Sequence, residues 1–218
     1  MRHIGTSHYD DKNRDVHQWG FLVDVERCLG CRGCEVACKV EHGAPPGNRW
    51  RRVYLVNDER HPDAPTYGLS MACNHCRKPQ CLEVCPAGAY DQRGDGIVTH
   101  DAQRCLGCKY CTWACPFGAP SINPFTRKAQ KCQLCFERLD RGQLPFCVES
   151  CPVGALQLVV VEPVGAGVKI WRGPGYRLEL ALTGREMAER VPGVPTSNTH
   201  PSLVFGLPRA RGDGSGKA

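Results

Sequence analysis

The sequence predicts an α+β fold of short strands and short helices. It forms two cysteine-rich modules, one inserted in the other, followed by a long irregular C-terminal extension. Three observations predict this. Sixteen of the 218 residues are cysteine, and they fall in four runs of four. The phrase Cys-Pro-x-Gly-Ala recurs at 85–89, 115–119 and 151–155, an internal repeat. Gly (24) and Pro (17) are abundant and helix-period apolar stretches are scarce, so long elements cannot enclose a large aliphatic core.

Run one is Cys28, Cys31, Cys34 and Cys38; run two is Cys73, Cys76, Cys81 and Cys85. Run three is Cys105, Cys108, Cys111 and Cys115; run four is Cys132, Cys135, Cys147 and Cys151. Runs one and three have the C-x2-C-x2-C-x3-C spacing of bacterial ferredoxins, in which three thiolates hold one iron–sulfur cube and the fourth reaches a second. A disulfide framework suits short secreted chains, whereas the first 27 residues here have no apolar h-region. Structural zinc needs two separated Cys-x-x-Cys pairs closing one tetrahedron; only Cys132, Cys135 and Cys147 approach that pattern.

Along the sequence, residues 1–19 read as a polar arm and Gly20 to Glu26 as a short strand leading into run one. Cys34 to His42 reads as a helical turn that carries Cys38 away from its neighbours, and Arg52 to Val56 as a strand. The basic–aromatic segment Asn48 to Tyr54 could suit nucleic acid, but reads better as a surface strand with snorkelling arginines. Gly94 to Gly96 marks the turn of a hairpin between runs two and three. Between Cys135 and Cys147 a helical turn and a loop are expected. Beyond 163 a strand at Arg177 to Leu182 and a helix at Arg185 to Val191 are expected, and the Arg211-Gly212-Asp213 triplet reads as chance.

Pairing each triplet with the fourth cysteine of a neighbouring run gives four cubane sites. Cluster 1 takes Cys28, Cys31, Cys34 and Cys151; cluster 2 takes Cys132, Cys135, Cys147 and Cys38. Cluster 3 takes Cys73, Cys76, Cys81 and Cys115; cluster 4 takes Cys105, Cys108, Cys111 and Cys85. Residues 73–120 then form an inner ferredoxin-like double-cubane module, residues 20–72 and 121–163 an outer one, and 164–218 the extension, mobile or wrapped on a partner. With four thiolates at each [4Fe–4S] cluster there is no open iron and no catalytic residue is expected; the protein would conduct electrons. The net charge is +6 before loading, and four cubes of about −2 each bring it near −2, so the basic surplus needs no nucleic-acid partner. Arg27, Arg32, Lys39, Arg77, Lys78, Arg104, Lys109 and Lys131 lie beside cysteines, as solvated surface or as compensating charge. His75 reads as a donor to a cluster sulfur or a packed surface histidine, and Trp113 as filler round a cube. No stretch has the roughly 18 apolar residues of a membrane span.

The phrases CLGCRGCEVACK (28–39), CNHCRKPQCLEVCPAGA (73–89), CLGCKYCTWACPFGAP (105–120), KCQLC (131–135) and CVESCPVGAL (147–156) carry a family resemblance. The sequence resembles the iron–sulfur (B) subunit of the dimethyl sulfoxide reductase family of molybdopterin oxidoreductases, over residues 18–160 and more weakly at Thr199 to Phe205. The resemblance implies a catalytic partner carrying molybdenum bis(molybdopterin guanine dinucleotide) and a quinol-oxidising membrane anchor. It implies membrane association through those partners, on the cytoplasmic face or, by co-export with a twin-arginine-signalled partner, in the periplasm. A relay subunit of a hydrogenase or formate-linked complex is the alternative, and the cysteines do not separate the two.

Overall fold

A computed structural model describes residues 18–56, 66–161 and 203–206. The polar arm up to residue 17, the expected strand at 177–182, the expected helix at 185–191 and the triplet at 211–213 lie outside the described residues. In sequence order the elements are β1 (Gln18–Asp24), α1 (Gly33–Glu41), β2 (Arg52–Val56), β3 (Tyr67–Met71) and α2 (Gln80–Glu83). There follow β4 (Tyr90–Gln92), β5 (Val98–His100), α3 (Tyr110–Ala114), β6 (Ser121–Ile122) and β7 (Ala129–Gln130). The last are α4 (Phe136–Leu139), α5 (Phe146–Glu149), β8 (Leu156–Val161) and β9 (Leu203–Gly206).

β1 is central in a three-stranded sheet. β8 runs antiparallel beside it, from Gln18↔Val161 to Val23↔Leu156. β9 runs parallel on its other side, from Phe21↔Leu203 to Asp24↔Gly206, so the C-terminal extension is not wholly irregular. The sheet ends where the Asp24 carboxylate accepts the backbone N–H groups of Glu26 and Arg27 at 3.1 and 3.2 Å, an Asx turn that swings the backbone into run one. β2–β3, β4–β5 and β6–β7 are three antiparallel hairpins. The predicted turn at Gly94–Gly96 closes β4–β5: Arg93 N–H donates to Ile97 O at 2.9 Å and Gly96 N–H to Arg93 O at 2.9 Å.

The helices are short because their task is local. α1 packs on α5, and α2 packs on α3. Each carries a cysteine whose run ends four residues later: Cys34 and Cys38, Cys147 and Cys151, Cys81 and Cys85, Cys111 and Cys115. Only α1 spans both of its cysteines; Cys85, Cys115 and Cys151 follow the ends of α2, α3 and α5.

The core is mixed aliphatic and sulfur. Phe21, Val23, Leu69, Ile97 and Leu134 pack with Cys38, Cys73, Cys132 and Cys147; Tyr90, Val98 and Ala129 pack with Cys81 and Cys111. Burying Phe21, Ile97 and Leu134 stabilises by about 1.5–3 kcal/mol each, leaving much to the centres themselves. The segment 48–54 departs from expectation. Asn48, Trp50, Arg51 and Val53 are buried whereas Arg49 and Tyr54 are exposed, so the segment is half-buried and Arg51 does not reach the surface. Asn48 is tied inward, its side-chain N–H donating to Gln130 Oε1 at 2.8 Å, and Arg51 is only 1% exposed.

Candidate metal centres

The four runs share one loop shape. The residue two positions after the first cysteine of each run is left-handed: Gly30 (φ 65), His75 (φ 41), Gly107 (φ 71) and Leu134 (φ 57). Only two of these are glycine, and a left-handed His or Leu costs on the order of 1 kcal/mol or more. The same left-handed turn at four equivalent places, strained at two of them, marks a shape imposed by what the loops must hold. The signal was present in sequence as the recurring Cys-x-x-Cys openings CLGC, CNHC, CLGC and CQLC, but two of them lack the glycine that announces the turn.

The recurring Cys-Pro-x-Gly-Ala phrase has a geometric reason as well. In all three copies the glycine N–H donates to the cysteine carbonyl, at 3.1 Å (Gly88 to Cys85), 3.1 Å (Gly118 to Cys115) and 3.2 Å (Gly154 to Cys151). Proline sets the first turn residue and the glycine takes positive φ at 54°, 57° and 61°. The next residue then points its amide back at the sulfur: Ala89 N–H to Cys85 Sγ at 3.3 Å and Ala119 N–H to Cys115 Sγ at 3.5 Å.

All sixteen cysteines are free of disulfides. Cys28, Cys31, Cys34 and Cys151 line one cavity. Cys73, Cys76, Cys81 and Cys115 line another. Cys38 lies within electrostatic reach of Cys147 and Cys135, and Cys132 of Cys38 and Cys147. Cys111 is likewise beside Cys105, Cys108 and Cys85. Electrostatic reach extends further: Cys34 feels Cys147, Cys132 feels Cys73, and Tyr90 lies beside Cys111, Cys81 and Cys73.

These thiols resist ionisation. Burial, with Cys147 adding, pushes Cys38 up to about 12. Burial and Cys147 push Cys135 up to about 11, against an amide from Phe146. Cys81 and Cys132 lie well above the ordinary thiol value, by burial and then by Cys73 and Cys38 respectively. Four buried thiolates cannot share a space without cations among them; iron supplies that cation.

Other features fit the same occupant. The Asn74 side chain, 3% exposed, lines the Cys73 cavity with neither of its polar atoms hydrogen-bonded. A Cβ on Gly68 would meet Cys28 Sγ at 2.8 Å and Gly30 N at 3.0 Å, so only glycine leaves the first cavity its wall. N–H groups of Gly107 and Ala129 face Cys105 Sγ at 3.4 Å each, and Leu134 N–H faces Cys132 Sγ at 3.3 Å. His42 Nε2 is 3.2 Å from Cys135 Sγ, its ring stacked on Trp50 at 4.5 Å.

Two single-residue expectations change. His75 is no surface residue: it is 1% exposed, and its Nδ1 accepts the Val98 N–H at 3.0 Å, leaving Nε2 as the protonated nitrogen. Trp113 is not filler round a cube. It is 78% exposed and stacks on Tyr110 at 6.2 Å, because its place on α3 faces away from Cys111 and Cys115.

A 4Fe-4S dicluster domain family matches residues 66–161, which with the sixteen cysteines defines a [4Fe–4S] electron-transfer protein. The B subunit of anaerobic dimethyl sulfoxide reductase from Escherichia coli K12 is 44% identical over 153 residues, 66% of this sequence and 75% of that one. The corresponding B subunit of Haemophilus influenzae is 34% identical over 213 residues, covering 92% and 96%. The thiosulfate reductase electron transfer subunit PhsB of Salmonella typhi is 41% identical over 177 residues, covering 79% and 91%. The protein belongs to this family, the iron–sulfur B subunits of dimethyl sulfoxide reductase-type complexes.

Proposed function

We propose that the protein holds four [4Fe–4S] clusters in series and relays electrons between a quinol-oxidising membrane subunit and a molybdopterin catalytic subunit, as in a dimethyl sulfoxide reductase-like respiratory complex. Cys28, Cys31, Cys34 and Cys151 would hold cluster 1. Cys132, Cys135, Cys147 and Cys38 would hold cluster 2. Cys73, Cys76, Cys81 and Cys115 would hold cluster 3, and Cys105, Cys108, Cys111 and Cys85 cluster 4. Each bound cluster accepts and returns one electron without making or breaking a bond to substrate.

The observation that carries the reading is the succession of the sulfur sets. The first set lies within electrostatic reach of the second and the second of the third, and Tyr90 stands between the third and the fourth. All four cysteines of the second set are buried, whereas the first and fourth each have one exposed, Cys31 and Cys108. That is the arrangement of a conductor insulated in the middle and open at its two ends. Among the described residues no helix is long and apolar enough to cross a membrane; in this reading a membrane partner carries out the quinol chemistry.

Iron and sulfide analysis of the purified complex should give about sixteen of each per polypeptide; about eight would refute the four-cluster reading. Molybdenum copurifying with the protein supports the catalytic partner, and nickel in its place would point to a hydrogenase instead.

A further inference from the structure

Two of the largest fully buried side chains are cations, Arg51 and Lys131, each 1% exposed. Burying an unpaired charge is costly, so each needs an anion nearby. Neither forms an ion pair with a carboxylate among the described residues. Their surroundings are sulfur.

Arg51 stands just before β2, its guanidinium 4.2 Å from the Phe21 ring centroid. Nη1 donates to Ser70 Oγ at 3.0 Å, and that hydroxyl lies 3.4 Å from Cys34 Sγ, free to pass a hydrogen bond on to the first sulfur set. Nε and Nη2 have no hydrogen-bond partner. Burial alone would pull the guanidinium down, but Cys147, Cys132, Cys34 and Cys38 outweigh it and hold it above its ordinary value. Arg51 therefore sits in the gap between the first and second sets.

Lys131 occupies the next gap. Its Nζ donates to the Val98 carbonyl and, at 3.1 Å, to that of Cys132. Its side chain also lines the cavity of Cys73, Cys76, Cys81 and Cys115. The junction of the third and fourth sets holds a neutral phenol, Tyr90, instead.

The placement supports a specific role, which rests on the cluster assignment proposed above. We propose that Arg51 and Lys131 are fixed buried counter-charges in the first two gaps of the electron path. Arg51 raises the electron affinity of clusters 1 and 2, and Lys131 that of clusters 2 and 3, while cluster 4 is left without such a cation. Both are positioning residues, since neither ligates iron.

The test is potentiometric EPR on the purified complex, comparing the native protein with Arg51→Gln and Lys131→Gln, alongside the charge-keeping Arg51→Lys and Lys131→Arg. Removing either charge should change the reduced-to-oxidised ratio of the adjacent centres at fixed potential by about tenfold toward oxidised, roughly 59 mV for one electron. The two variants should share one affected signal, that of cluster 2, and leave cluster 4 unmoved. The charge-keeping variants should stay near the native potentials. If the neutral variants lose iron while the charge-keeping ones retain it, the counter-charge role stands, because the anionic centres then require the cation to assemble. Unchanged potentials in fully loaded neutral variants would overturn it. So would charge-keeping variants that shift, or lose iron, as much as the neutral ones. The native protein's iron count and number of EPR centres report separately on the cluster assignment.

Discussion

Ile97 sits at the β4–β5 turn, where Asp95 O accepts the Trp19 N–H at 3.2 Å and ties the hairpin to β1. It is completely enclosed, so Ile97→Ala removes packing that nothing else can fill. The expected loss is about 2–4 kcal/mol, read from denaturant unfolding of the loaded protein. His100 gives a pH dependence. Burial and then Lys131 lower it to about 4 from 6.5, so the folded state keeps it neutral. Its depressed value contributes stability that is present above pH 6.5 and lost as pH falls toward about 4, where the unfolded state takes up a proton that the folded state refuses. The melting temperature of the loaded protein should therefore fall across that window, and by less in His100→Gln. Equal slopes in the two proteins would assign the acid sensitivity elsewhere. At this scale the sequence was a partial guide. It named Lys131 only as one of eight cysteine-flanking cations, and it put Arg51 on the surface and Trp113 against a cube. Side-chain type reports what a residue can do; burial depends on neighbours brought from distant parts of the sequence.

Among the elements, helices this short are unstable alone, and here they are held by packing, α1 on α5 and α2 on α3. The spacing of four between paired cysteines was readable directly, as were α1, β2 and the β4–β5 hairpin. The two-residue strands β6 and β7 were not, since two residues carry no periodicity. β3 supplies a sharp test. Gly68→Ala would press a methyl into Cys28 Sγ at 2.8 Å, with backbone of Gly30 only 3.0 Å away on the other side. Iron should drop from about sixteen toward about twelve per polypeptide while three EPR signals survive. Full iron content in that variant would show that the first cavity can yield.

For the molecule as a whole, fold and cofactor are one problem. The raised thiols make the sign clear. Cys38 at about 12 and Cys135 at about 11, against an ordinary 9.0, stabilise the iron-free folded state below pH 9, and that contribution disappears as pH rises toward about 12. Iron binds the deprotonated form, so loading releases protons, and resistance to a chelator should increase between about pH 7 and pH 9. A pH-stat record of reconstitution without proton release would contradict this. The four runs of four cysteines were legible in advance, because ligand spacing is local geometry. The parallel pairing of β9 with β1 was not, because it joins segments about 180 residues apart that share no motif.

That last strand has a consequence of its own. β9 covers the backbone of Phe21 to Asp24, whose other side already belongs to β8. A protein cut after residue 202 would bare that row of amides and carbonyls, a ready template for a second molecule. Light scattering should then report self-association of the shortened protein, with its full complement of iron still in place.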